Sequence, residues 1–226
     1  MDIIKKLAQE LTIKEEQAKA AVQLIDEGNT IPFIARYRKE MTGALNDETL
    51  RNLHERLLYL RNLEEKKEQV INAITEQGKM TDDLKKKILA AETLVAVDDL
   101  YRPYRPKKQT RATKAKEKGL EPLANILLLQ ATSKSMEEEA QSFVDEAKGV
   151  TNAKEALAGA KDIIAEMIAD KADYRKSIRN CTMKQGRLVV KAKDEKAESV
   201  YEMYYDFSEE LSKITGYRVL AINRGE

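Results

Sequence analysis

Apolar residues recur at three- and four-residue spacing along most of the chain. The longest such stretch runs from Asn46 to Gln77 with no Gly or Pro inside it. Leu50, Leu53, Leu57, Leu60, Leu63, Val70, Ile71 and Ile74 form one stripe, which predicts a single amphipathic helix. Asn46 is placed to cap its start, Asp47 and Glu48 put negative charge where the helix dipole favours it, and Gly78 follows where a left-handed stop is wanted. At about 1.5 Å per residue this stretch spans roughly 48 Å, the length of a spine on which other helices pack. The sharper alternative is a dimeric coiled coil. Glu64 and Lys67 fall where a strict heptad wants apolar side chains, which favours the spine.

Before the spine, Ile3, Ile4, Leu7, Ala8 and Leu11 predict a short first helix. Thr12 to Glu15 reads as a capping box for a second, with Ala18, Ala21, Val22 and Ile25 inward, ended by Gly28. Thr30 and Pro32 open a third, with Phe33, Ile34 and Tyr37 on one side and Arg36, Arg38 and Lys39 on the other. Three short helices suit either a helix-turn-helix-like module or a cap on the spine. Met41 to Gly43 reads as the turn into the spine. After Gly78, Thr81 caps a helix with Leu84, Ile88 and Leu89 inward, and Thr93 starts another that ends near Leu100. Pro103 and Pro106 forbid its continuation and push Arg102 and Arg105 toward extended geometry.

Further along, a helix starts near Thr110 and stops before Gly119, and Pro122 opens the next, with Leu123, Ile126, Leu127 and Leu128 buried. Ser135 and Glu138 form a capping box for a helix to Lys148, and Gly149 stops it. Asn152 opens another, with Leu157, Ala160, Ile163, Ile164, Met167 and Ile168 inward. Its Ala158-Gly159-Ala160 run suits a close helix crossing. A last helix, with Tyr174, Ile178 and Cys181 inward, runs to Gly186. Residues 187–193 and 217–223 read as strands, with Tyr201, Tyr204, Tyr205 and Phe207 on a short helix and turn between them. No fixed-period repeat or low-complexity linker interrupts this order. The expected fold is mainly α: an elongated multi-helix array around one long central helix, with a short β element near the C-terminus. Three segments are expected: a tri-helical head over 1–45, a helical body over 46–186 carrying a basic arm at 98–118, and strands and a helix over 187–226.

Composition agrees with a helical class. Of 226 residues, 42% are apolar and 35% charged, with four Pro and nine Gly. A lone Cys181 excludes an internal disulfide and fits a reducing cytoplasm. No apolar run approaches the roughly 18 residues of a membrane span, so membrane attachment is not expected. The net charge of +1 hides an asymmetry: residues 102–118 hold eight Lys and Arg against Glu117. Residues 135–173 hold ten Asp and Glu against four Lys. One basic segment on a near-neutral chain points to a local electrostatic site.

The chemistry of enzymes finds little foothold. His54 and Cys181 are the only residues of their types, so no His/Cys metal spacing is possible, and no phosphate-binding Gly loop is present. Cys181 reads as a small buried residue and His54 as a polar residue on the spine's surface. Neither a catalytic residue nor a cofactor is expected. The candidate site is nucleic-acid contact. Arg102, Arg105, Lys107, Lys108, Arg111 and Lys114 would meet phosphates, Tyr101 and Tyr104 would stack on unpaired bases, and Arg36, Arg38 and Lys39 form a second cationic surface. Equally open at this level is a basic arm docking on an acidic surface such as residues 135–173.

Thr30-Ile-Pro-Phe-Ile-Ala-Arg-Tyr-Arg-Lys-Glu40, the Leu100-to-Thr113 run, Gly119-Leu-Glu-Pro-Leu-Ala124, Ala158-Gly-Ala-Lys-Asp-Ile-Ile-Ala165 and Leu220-Ala-Ile-Asn-Arg-Gly-Glu226 together resemble the bacterial Tex family of transcription accessory proteins. The match runs along nearly the whole chain, and Gln109 departs from it where the family commonly has a basic residue. The resemblance implies a cytoplasmic protein that binds RNA or DNA, with possible partners in the transcription machinery. It also implies several hundred further residues, including RNase-H-like, helix-hairpin-helix and C-terminal OB-fold domains. The expectation is therefore an N-terminal region, monomeric, that organises those downstream domains and binds nucleic acid weakly by itself.

Overall fold

The computed structural model describes residues 1–106 and 108–225, and the expected contact Lys107 lies outside the described residues. The fold is mainly α, and the chain divides into two compact units, Met1–Tyr104 and Arg105–Glu226. The three-segment division remains a reading of the sequence.

In the first unit, α1 (Ile3–Leu11), α2 (Glu15–Asp26), α3 (Ile31–Tyr37) and the one-turn α4 (Lys39–Thr42) precede α5 (Asp47–Glu76), which is followed by α6 (Asp82–Ala90) and α7 (Leu94–Tyr101). The spine forms as its caps dictate. The Asn46 side chain accepts the Thr49 N–H at 2.7 Å, and Gly78 takes φ +67° just past the end. Its stripe serves two cores in succession. Leu50, Leu53, Leu57 and Leu60 bury against Leu7, Ala18, Ala21, Leu24 and Ile34 of α1–α3. Leu63, Val70 and Ile74 bury against Ile88 of α6 and Val97 of α7. Lys67 occupies the stripe position within the second stretch and is only 1% exposed. Its ammonium donates to Glu64 Oε1 at 2.8 Å and to the Leu89 carbonyl at 3.0 Å, so the buried charge is paired and hydrogen-bonded. Burial pushes the Glu64 carboxyl up, but hydrogen bonds from Lys67 and the Met1 ammonium outweigh this and hold it below the usual glutamate value. Two forked arginine pairs tie the head to the spine: Arg56 to Glu10 of α1 and Arg61 to Asp26 of α2, the latter at 2.7 Å on both oxygens.

Four local expectations for this unit are corrected. Thr12 does not open α2; it closes α1 in a left-handed conformation (φ 55°), and the cap moves to Lys14, whose N–H is accepted by the Gln17 side chain at 3.1 Å. Met41 and Thr42 belong to α4 rather than to a turn, and Gly43 (φ +62°) stops that helix. Tyr37 and Leu89 face outward, 62% and 51% exposed, because α3 and α6 each offer their core one fully buried position, Ile34 and Ile88. Arg102 is helical (φ −50°, ψ −43°), not extended: α7 runs on into a 3-10 turn over Arg102–Tyr104 that accommodates Pro103.

The second unit contains α8 (Arg111–Glu117), α9 (Glu121–Leu129), α10 (Met136–Gln141), α11 (Ala153–Ala169), α12 (Ala172–Gln185), β1 (Arg187–Lys191), β2 (Asp206–Glu210) and α13 (Gly216–Arg224). Its core is built from small residues and a few large ones: Ala112 and Ala115 of α8, Leu120, Leu123 and Ala124, Ala140, Val150, and Ala156, Ala160 and Ile163 of α11. Gly159 confirms the close crossing. A Cβ there would lie 2.4 Å from Leu120 Cδ1 and 3.2 Å from the Ala115 Cβ. The Ser135–Glu138 capping box forms in both directions, but α10 ends at Gln141 and only a 3-10 turn, Glu146–Lys148, reaches Gly149. An Asp145–Val150 bridge replaces the missing helix. Ile126 and Leu127 are half-buried, while Leu128, Met167 and Ile168 are exposed. Tyr174, Ile178 and Cys181 of α12, expected inside, are all exposed, and α12 buries no residue.

The β element is a two-stranded antiparallel sheet with Leu188 opposite Glu209 and Val190 opposite Phe207. Only its first strand was anticipated. Residues 217–223 are helical, and β2 is Asp206–Glu210, a segment poor in strand-forming side chains that is held by pairing with β1.

Candidate nucleic-acid interface

The cations predicted to meet phosphates fall at three places in the chain, and each is set by different local structure. At the end of α3, Arg36 is exposed and Arg38 half-buried, and Lys39 begins α4. The Arg38 Cζ lies 5.0 Å from the Phe33 ring centroid, and its Nη1 donates to the Tyr37 carbonyl at 3.1 Å. Phe33 and Tyr37, one helical turn apart, hold their rings 5.3 Å from each other at 46°. This short stretch is fastened from α2: the Gln17 amide donates to the Thr42 and Gly43 carbonyls at 3.2 and 3.0 Å.

After α7, Tyr101 and Tyr104 are half-buried against the core formed by α5–α7, and the Tyr104 carbonyl accepts from Gln77 at 2.9 Å. Both rings are thus partly committed to packing. Arg102 is exposed and has a partner within the chain.

In the second unit, Arg105, Lys108, Arg111 and Lys114 are exposed. Thr110 caps α8, accepting the Thr113 N–H at 3.0 Å, while its hydroxyl donates to Glu166 at 2.9 Å. Ala112 and Ala115 turn inward onto α11, which leaves the helix's basic residues outside. Part of that charge is met by the chain itself. Arg111 lies 3.5 Å from Asp162, Lys116 3.7 Å from Glu121, and Lys118 donates to the Gly149 carbonyl at 2.7 Å. Arg105 also has a partner, whereas Lys108 and Lys114 hold no carboxylate among the described residues. The acceptors Asp162, Glu166 and the Gly149 carbonyl were anticipated only as a diffuse acidic surface over 135–173. For Asp162 and Glu166 the signal available in the sequence was their four-residue spacing on one face of α11; the Gly149 carbonyl, outside that helix, left none.

Two other features bear on chemistry. Among the described residues no group of three or more His, Cys, Asp and Glu is arranged to hold a metal ion, and no helix is long and apolar enough to cross a membrane. His54 is half-buried beside Arg51 in a hollow of about 450 Å³ near Thr30 and Pro32. A larger hollow of about 730 Å³ lies between β1, Tyr201, Tyr205 and α13.

Residues 1–75 match the family model described as the Tex-like protein N-terminal domain, and residues 131–226 match the one described as Tex central region-like. The chain belongs to the Tex family. It is 46% identical over 222 residues to the protein YhgF of Escherichia coli (strain K12), covering 97% of this chain and 28% of that protein. It is 42% identical over 228 residues to the transcriptional accessory protein Tex of Neisseria gonorrhoeae, covering all of this chain and 30% of that one. Over 235 residues it is 31% identical to the human S1 RNA-binding domain-containing protein 1, covering 23% of it. The chain therefore spans about three tenths of its bacterial relatives' length. Of the Tex-like motifs, Thr30–Glu40 makes α3 and the start of α4, the one starting at Gly119 makes the α8–α9 turn, and 158–165 supplies the close crossing on α11.

Proposed function

We propose that this Tex-family chain is a helical scaffold of a transcription accessory protein that adds auxiliary contact to RNA or DNA phosphates without reading sequence. The observation that carries this reading is the exposed basic run of the second unit, in which Lys108 and Lys114 hold no carboxylate among the described residues. Such a surface gains affinity by releasing counterions and is indifferent to base identity. The names of the gonococcal and human relatives, a transcriptional accessory protein and an RNA-binding-domain protein, support the setting. A cytoplasmic, monomeric protein organising further domains of the same polypeptide, with the transcription machinery as a possible partner, belongs to the same reading. No catalytic role is part of it.

The test is fluorescence anisotropy with mixed-sequence RNA and DNA oligonucleotides over a salt series. Binding is expected at low salt and to weaken steeply as salt rises. The combined Arg105→Ala, Lys107→Ala, Lys108→Ala variant is expected to lose affinity on all sequences and to flatten the salt slope by about one per phosphate contact removed. No binding at low salt, or binding unchanged in that variant, overturns the assignment.

The Arg111–Asp162 and Thr110–Glu166 contacts favour a second reading, in which the basic segment docks on acidic surfaces. If docking within the chain competes with nucleic acid, Asp162→Ala with Glu166→Ala tightens oligonucleotide binding. If the segment serves protein contact alone, the same pair of changes leaves oligonucleotide binding absent.

A further inference from the structure

The arginines of the spine are all matched. Arg51 holds Asp47 at 2.6 Å, Arg56 holds Glu10, and Arg61 holds Asp26 at 2.7 Å. The three cations at the end of α3 are not: Arg36, Arg38 and Lys39 hold no carboxylate among the described residues. In their midst stands Tyr37, 62% exposed, its ring steadied by Phe33 at 5.3 Å. The backbone beneath is fixed as well. Arg38 binds the Tyr37 carbonyl, the Thr42 hydroxyl donates to the Arg38 carbonyl at 3.2 Å, and Gln17 holds the carbonyls of Thr42 and Gly43. An isolated exposed tyrosine on a helix is ordinary. An exposed ring held in place, with three unmatched cations at the adjacent positions 36, 38 and 39, combines the two elements that single-stranded nucleic acid requires: a flat surface for an unpaired base and positive charge for the flanking phosphates.

We propose that Tyr37 is a stacking platform for an unpaired base of single-stranded RNA or DNA, with Arg36, Arg38 and Lys39 receiving the neighbouring phosphates. This rests on the nucleic-acid reading above and deepens it by moving base contact from Tyr101 and Tyr104, which are half-buried against the α5–α7 core, to the exposed Tyr37 of α3. The ligand class follows from the geometry. A duplex hides its base faces, whereas a single strand offers them.

The chain contains no tryptophan, so Tyr37→Trp introduces a unique fluorophore at the proposed contact. Titration of the full chain with an unlabelled single-stranded oligonucleotide is expected to quench the introduced indole along the same curve that anisotropy gives for a labelled one. Inorganic polyphosphate, a polyanion without bases, is expected to compete for binding without quenching. Tyr37→Ala is expected to weaken single-strand binding at least about fivefold, with Tyr37→Phe retaining it and duplex binding little changed. Oligonucleotide binding with unaltered indole emission, or equal quenching by polyphosphate, overturns the platform while leaving phosphate contact by residues 105–114 standing. Absence of any oligonucleotide binding overturns both.

Discussion

α5 and α12 carry the same kind of sequence signal and meet different fates. Each shows apolar residues at helical spacing: Leu50 through Ile74 on α5, and Tyr174, Ile178 and Cys181 on α12. On α5 the stripe is almost wholly buried, by α1–α3 along its first half and by α6 and α7 along its second. On α12 the same residues are exposed, and no residue of the helix is buried. Periodicity therefore specifies that a helix has an apolar face, not that anything covers it. The residues flanking each stripe are the better guide. α5 is bracketed by short helices joined through tight Gly-stopped turns, so partners lie close in sequence. α12 is followed at once by a hairpin whose two strands pair with each other.

Four measurements sharpen or break this contrast, in decreasing order of expected effect. Leu57→Asp places an unpaired carboxylate where Leu57 is 1% exposed and is expected to abolish the cooperative unfolding of the first unit. The loss is at least about 4 kcal/mol, read as disappearance of the helical signal's sigmoidal urea transition. Gly159→Ala on α11 is expected to destabilise the second unit by about 1–2 kcal/mol. The added methyl improves helix propensity by up to about 1 kcal/mol, but it meets the buried Leu120 side chain and comes within 3.2 Å of the buried Ala115 Cβ. A lower urea midpoint checks the sign, and a raised midpoint would show that Leu120 can yield.

The third concerns pH. Glu64 has its folded pKa held below the ordinary 4.5, so its pairing stabilises the fold above that pH and the contribution is lost as pH falls through the lower folded value. Glu10 and Asp26 shift the same way, each chiefly through the hydrogen bond from its arginine. The melting temperature is expected to fall on acidification below about pH 4.5, and Glu64→Gln to reduce that dependence. The smallest effect is expected from Ile178→Asp on α12. With the residue 65% exposed, stability should change by no more than about 0.5 kcal/mol. A loss comparable to that of Leu57→Asp would mean that α12 is covered in solution, and the contrast would fall.

Much of the fold was legible because its helix ends announce themselves in side-chain chemistry. Asn46, Thr81, Thr93, Thr110, Ser135 and Asn152 all accept the backbone N–H that their positions predicted. What was misread is tertiary. Thr12 looks like a cap but its own backbone goes left-handed to end the preceding helix. Residues 217–223 form a short apolar run that periodicity cannot assign. Val219 and Ile222, three apart, both line the hollow beside β1 as a helix would place them. The basic segment was legible as charge, but not its share already satisfied by Asp162, Glu121 and the Gly149 carbonyl, because those partners lie 5 to 51 positions away in sequence and meet it only through folding. Tyr37 was hidden by the same limit. A seven-residue helix offers only a narrow inward face, and Ile34 fills it.

The stripe of α5 passes from one core to the other without a break in its backbone, with Lys67 seated inside the second. That makes the helix a mechanical coupler. Neither core can open without stripping one half of a rod whose other half is still held. The two ought therefore to fray from their outer edges, α1 and α6, before the shared middle gives way. The most durable amides in the first unit would then lie around Leu60 and Leu63, where the two cores meet, rather than near either end of the spine.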